Sequence, residues 1–430
     1  MYDNTQLAPV WRWFTESRFG VYIQWGPASL YGRGESVLLQ EHMDQRAYTK
    51  AACRWRPQKY NPEFWAGAAR EAGFRFSVLT ARSADGYCLW KTDTTDYSAV
   101  AQAARRDLFG DYVKAFCDAG LRVGVSYSLA DWRLPVYWSG PASDPAAWDG
   151  YRAYIHQQLR ELLTNYGPLD LLVLNNPGPY TQEEWGFDVI MEMARELQPA
   201  MIVSNGGASG AYNGDVSVEW PGDVSSSDHG GLWMAVRNPT WRHMGHAMGD
   251  RWLPTEDILD ELAMASCGGG NLLLTIGPKA NGTLPIPFML RLASVGKWLK
   301  VQGEALYGTA AVAGEPLSLG HVTRRGRNLY LILRSWSRKQ RLILSGLTTE
   351  VRRVVMVANN QELDFNYEND TLEVVELPRA LRSTLFPVLR VECAAAPELV
   401  DWSLATVQSD NRERLAAWAA THGPSFNASQ

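Results

Sequence analysis

The chain has 430 residues, 46% of them hydrophobic and 20% charged, which is enough apolar material for a full core and for two or three domains. Its formal net charge of -5 comes from interspersed acidic and basic residues, with neither the basic face of a nucleic-acid binder nor the polybasic run of a membrane-surface protein. No nucleic-acid or membrane partner is therefore expected, and a small neutral ligand fits better.

From the N-terminus, short β-rich apolar runs alternate with helical patterns. Strand-like Phe19 to Trp25 is followed by helical Pro62 to Ala72, then Phe74 to Ala81, helical Leu108 to Ala119 and strand-like Leu121 to Ser128. The rhythm continues through helix 148–165, strand 169–174, helix 183–197, strand 201–204, helix 255–266 and strand 271–276, with a closing helix over 286–306. Repeated βα units predict an α/β fold, a (β/α)8-type TIM-like barrel over residues 1–305, with functional side chains at the C-terminal ends of the strands. Past residue 306 the pattern becomes alternating strands, as in Asn328 to Ser335 and Arg341 to Leu344, which predicts a small antiparallel β-sandwich over 306–398. Residues 399–430 form a C-terminal extension with a helical pattern at 411–420 that could pack on the barrel or on a neighbouring copy, so a homo-oligomer is open.

Five cysteines lie far apart without a C-x-x-C pair, which points to a reducing compartment. The start, Met1-Tyr-Asp-Asn-Thr-Gln, lacks a basic stretch followed by an apolar one, and a cytoplasmic location is the expectation. Asp228-His229 and His243-Met-Gly-His246 hold three of the seven histidines, but without a helical pattern or a cysteine partner; neither a metal nor another cofactor is expected.

Several segments together carry a specific resemblance: Arg18-Phe-Gly-Val-Tyr-Ile-Gln-Trp-Gly26, Gly32-Arg-Gly-Glu35, Ala72 to Thr80, Asp85-Gly-Tyr-Cys-Leu-Trp90, Tyr127-Ser, Asp131-Trp132 and Gly268 to Pro278. In order and spacing the chain resembles glycoside hydrolase family 29, the α-L-fucosidases, over roughly residues 10 to 310. Carried across, the resemblance implies losses. The family's H-W-G reads Gln24-Trp25-Gly26, its H-H-D-G reads Ser83-Ala84-Asp85-Gly86, and its nucleophile strand W-F-D-G reads Val173-Leu174-Asn175-Asn176. A downstream W-E pair reads Trp233-Met234.

The nucleophile-equivalent position is thus Asn175, and a neutral amide neither attacks an anomeric carbon nor leaves as an ester. Glu219, before Trp220 and Pro221, is the leading candidate acid, with a pKa expected to rise in an apolar mouth; Glu35 and Asp85 are candidate assistants. Candidate ligand contacts are Gln24, Trp25, Ser83, Ala84, Tyr127, Trp132, Asn176, Trp220, Trp233, Met234 and His229. The expected function is to bind and transform a glycoside or sugar-like small molecule without an aspartyl ester. The alternative is a pseudoenzyme that binds a glycan or a partner.

Overall fold

The computed structural model describes residues 10–204, 213–219, 231–312, 320–334, 341–375, 377–378 and 385–400. The chain divides into two compact units, Met1–Lys300 and Val301–Gln430. Among its described residues the first contains eight parallel strands: β1 (Phe19–Ile23), β2 (Phe76–Arg82), β3 (Arg122–Ser128), β4 (Leu171–Asn175), β5 (Ile202–Val203), β6 (Val216–Glu219), β7 (Leu232–Arg237) and β8 (Asn271–Ile276). They lie in the order β5-β4-β3-β2-β1-β8-β7-β6, and a parallel bridge between Ser204 and Val216 joins the two ends of that sheet. The result is the TIM-like barrel that the βα rhythm predicts.

Alternation along the strands decides what fills the barrel, because successive side chains point to opposite faces of a sheet. Tyr22, Phe76, Val78, Leu171, Val173, Ile202, Val216, Val218, Met234, Val236 and Leu273 meet inside as one apolar cluster, to which Trp11 and Phe14 add at the N-terminal helix Arg12–Ser17. The outer helices start where their caps dictate. Asn61 and Asp144 each accept a backbone N–H from the first turn and each is followed by proline, whose fixed φ suits that position.

Sequence periodicity places most elements but not all. Glu219, placed in the mouth by the family resemblance, ends strand β6 (Val216–Glu219), and Trp233 and Met234 belong to β7. Both runs are short, so their period carries little signal. The pattern over 183–197 is two helices, Gln182–Trp185 and Phe187–Leu197, separated at Gly186 with φ 64°. Among the described residues no helix is long and apolar enough to cross a membrane.

Among the described residues the second unit carries seven antiparallel strands: β9 (Gly320–Arg325), β10 (Asn328–Leu333), β11 (Leu342–Ser345), β12 (Val351–Met356), β13 (Phe365–Glu368), β14 (Thr371–Val374) and β15 (Val388–Cys393). They form sheets of order β12-β15-β10-β9 and β11-β14-β13. Alternate residues Leu329, Leu331 and Leu333 of β10 share one apolar cluster with Leu342, Leu344, Leu372 and Val374 of the other sheet, which makes a sandwich. The helix expected at 411–420 lies outside the described residues.

Gly20 marks how tightly the barrel's lower end is filled. A Cβ built there would stand 2.4 Å from the Phe76 ring. Gly20→Ala should therefore destabilise the fold by about 1–3 kcal/mol through overpacking, read as a lower urea midpoint with an unchanged m-value.

Candidate functional site

One step above the apolar plug, the inward positions turn polar. Tyr22, Thr80, Ser126 and Asn175, from β1 to β4, form a hydrogen-bonded layer, joined by Gln24 just beyond β1. The Asn175 amide nitrogen donates to the Tyr22 hydroxyl at 3.0 Å and to Ser126 Oγ at 2.9 Å. Ser126 and Tyr22 share a further bond at 2.7 Å, and Thr80 Oγ1 donates to Gln24 Oε1 at 2.6 Å. Asn176, held at φ 50°, donates its amide to Asn175 Oδ1 at 3.1 Å and to Ser128 Oγ at 3.2 Å. Among the described residues no formal charge sits in this layer, and both amide hydrogens of Asn175 have acceptors.

Above it opens a cavity of about 240 Å³, lined by Tyr22, Gln24, Glu35, Ser36, Ser83, Ala84, Trp132, Asn175, Asn176, Pro177 and Met244. A narrow cleft of about 10 Å³ shares Gln24, Glu35 and Ser83 with it and adds Trp25, Asp85 and His246. Glu35 is half-buried, and its Oε2 accepts the Gly245 N–H at 2.8 Å. That bond belongs to a seam between two mouth loops, in which Gly34 N–H donates to the His246 carbonyl and Met248 N–H to the Gly32 carbonyl. Gly34, with φ 88°, is required there: a Cβ would lie 2.5 Å from His243 Nδ1. Burial, and then Lys279, push the His246 imidazole below its ordinary pKa, which favours the neutral ring.

Asp85 is buried. It accepts the Tyr48 hydroxyl at 2.6 Å and the Tyr87 N–H at 3.1 Å, so its carboxylate fixes the loop after β2 as well as facing the cleft. Burial raises its pKa against those two bonds. Beneath the same loops runs a buried ion pair. A register shift between Thr80 and Arg82 sets Arg82 opposite Tyr127, and its Nη2 meets Asp131 Oδ2 at 2.8 Å with both side chains fully buried. Arg133 binds the same oxygen at 2.7 Å. Burial opposes ionisation of Asp131, but Arg82 and Arg133 together hold its pKa below the ordinary value. The Trp132 N–H donates to the Ala84 carbonyl at 2.8 Å, so this ion cluster carries two cavity-lining residues, Trp132 and Ala84, on adjacent loops.

A family model described as alpha-L-fucosidase matches residues 2–304. The chain belongs to the α-L-fucosidase family. Tissue alpha-L-fucosidase of Bos taurus is 25% identical over 401 residues, covering 83% of this chain and 82% of that protein. Alpha-L-fucosidase isoenzyme 1 from Paenibacillus thiaminolyticus superposes with a TM-score of 0.82 at 30% identity, covering 90% of this chain and 99% of that one. The Thermotoga maritima alpha-fucosidase solved in complex with fucose gives a TM-score of 0.74 at 26% identity, over 88% and 96% of the two chains.

On this fucosidase-family barrel, the residues singled out in the sequence fall into groups. Gln24, Glu35, Ser83, Ala84, Trp132, Asn175 and Asn176 come together around the cavity. Trp25 borders the narrow cleft, but its ring is packed among Trp55, Tyr60 and Trp65 and its N–H is bound to the Lys279 carbonyl. Tyr127 is corrected: one residue past inward-facing Ser126, it points outward, taking a hydrogen bond from Arg82 at 2.8 Å and giving one to Gln158 at 2.7 Å. Trp233 is corrected too, since it sits at the start of β7, opposite the mouth, with its N–H on the Gly268 carbonyl; Met234 is part of the apolar plug.

Glu219 follows inward-facing Val218 and so points to the outer face of the barrel. It is paired with Arg237 at 2.8 Å, and Arg237 is shared with Glu261 of the helix Thr255–Cys267. It is absent from the residues lining the cavity. Trp220 and His229 lie outside the described residues. Sequence reasoning missed Tyr22, Thr80 and Ser126, although Tyr22 stands two residues before Gln24 and the period of two links them.

Two outcomes follow. Asp131→Asn leaves Arg82 uncompensated in the interior and should cost about 3–5 kcal/mol, measured by chemical denaturation. Asp131 holds its proton less tightly when folded, so its contribution is present above the unfolded value of about 3.9 and is lost as pH falls through the folded one. Asp85 has the opposite sign: with a raised folded pKa, its contribution is present at low pH and is lost as pH rises through that value. Asp85→Asn should therefore gain stability relative to wild type as pH rises from about 4 toward neutrality; a difference flat in pH would contradict the raised value.

Proposed function

We propose that this fucosidase-family protein binds a neutral glycoside or sugar-like small molecule in the cavity above Asn175 and acts on it without a covalent glycosyl-enzyme. The observation that carries the reading is the bonding of Asn175, whose amide donates to both the Tyr22 and Ser126 hydroxyls in a layer free of formal charge. An amide so placed has both hydrogens taken within the barrel and offers a ligand no more than a neutral carbonyl oxygen, whereas a retaining mechanism needs an anionic oxygen at the end of that strand. A lining of hydroxyls, amides and one indole suits a polyhydroxylated ligand with an apolar face. The family's substrate class supports a sugar, and the replacement of its histidines by Ser83 and Ala84 argues for a ligand other than an ordinary fucoside.

Among the described residues that line the larger cavity, Glu35 is the carboxylate, and it takes the role of general acid or base in this reading. Glu219 does not, because its carboxylate is engaged by Arg237 on the outer side of β6. The same count favours a second reading, a pseudoenzyme that binds a glycan without turnover, since inverting hydrolysis calls for two opposed carboxyl groups.

A panel of aryl glycosides and free sugars separates these readings. Glu35→Gln should lower turnover by about 10²-fold or more while changing sugar affinity little, as expected for loss of an acid/base group. Saturable sugar binding by wild type with no turnover across the panel would select the second reading. Incubation with a 2-fluoro-fucoside should leave position 175 unmodified by mass spectrometry in wild type; a sugar ester there, or fucoside turnover at rates typical of a retaining fucosidase, would overturn both.

A further inference from the structure

We propose that the cavity continues outward into a second sugar-binding position whose platform is the indole ring of Trp138. This deepens the sugar-binding reading and rests on it: the ligand would be at least two sugar residues long, with the inner one above Asn175 and the next one stacked on Trp138.

Trp138 lies on the short helix Pro135–Ser139 that follows the cavity-lining Trp132, and its Nε1 donates to the Trp132 carbonyl at 3.0 Å. The other side of that helix is held by the loop after β4. Tyr137 is buried and meets Tyr180 edge-on at 5.8 Å, and the Tyr180 hydroxyl donates to the Tyr137 carbonyl. Gly178, with φ 65°, allows the approach: a Cβ there would stand 2.7 Å from the Tyr137 hydroxyl. Pro177 in that same loop lines the cavity. The helix is thus clamped between two loops that wall the cavity, and it turns one large ring to solvent.

Trp138 is 54% exposed, as open as Phe64 and less open than Trp241 at 61%, and it is set apart from them by its bond to the cavity-lining Trp132. A single ring is too small for a protein interface, whose usual extent is about 800 Å² per partner. It matches the apolar face of one sugar ring. Because its N–H is already bonded within the protein, the indole needs no polar partner from the ligand, and its orientation is set before binding.

Binding to a printed array of mono-, di- and trisaccharides, followed by titration of the best oligosaccharide and of its terminal monosaccharide, tests this. Wild type should prefer the oligosaccharide by roughly 3- to 10-fold, the scale of one aromatic stacking contact. Trp138→Ala should abolish that preference and leave monosaccharide affinity unchanged, while Trp138→Phe, which keeps a platform, should retain most of it. An oligosaccharide preference undiminished in Trp138→Ala, or an equal loss for both ligands, would overturn the outer position while sugar binding in the cavity stands. No binding by wild type to any printed sugar would defeat both it and the reading on which it rests.

Discussion

The polar layer joining Tyr22, Thr80, Ser126 and Asn175 is the constraint on which the site depends. It sits directly on the apolar plug, so each of its donors must find an acceptor among its neighbours, and it does so entirely with neutral groups. A charge introduced here would meet hydroxyls and amides but no cation among the bonds that Asn175 makes, and its desolvation would have to be offset by those hydrogen bonds alone. The chemistry open to the cavity is set by that layer: it positions and discriminates by hydrogen bonding, and the carboxylate available to it in the larger cavity is at the rim, on Glu35.

Two ion clusters of this unit lie instead in the layer between strands and helices. Arg82 with Asp131 and Arg133, and Arg237 with Glu219 and Glu261, each tie a strand end to its surroundings. The first cluster anchors the loops that carry Ala84 and Trp132. Its loss would displace the cavity wall without removing any group that faces the ligand, so stability and binding are coupled through Asp131.

Trp138 extends the same logic outward. A platform fixed by a backbone carbonyl of a wall residue and by the loop after β4 moves only if the cavity walls move, and the inner and outer positions would then act as one extended surface. Linking two modest contacts in this way raises affinity without requiring either to be strong.

Much of this was legible in the sequence. The βα rhythm, the late switch to period two and the motifs from Arg18 to Pro278 determined the barrel, the sandwich and the fucosidase family, because burying one face of each element enforces a readable period. The amide at position 175 and the absence of histidine at 83 and 84 are likewise facts of the sequence alone. Tertiary structure decided which way each residue faces. Tyr127 turns outward and Ser126 inward by a single step along β3, Glu219 is carried to the outer face by one residue of β6, and Trp233 falls at the wrong end of its strand. A strand's parity and its position along the barrel axis are fixed by register with neighbours far away in the chain, and a one-residue shift reverses every side chain, so no local pattern could have settled them.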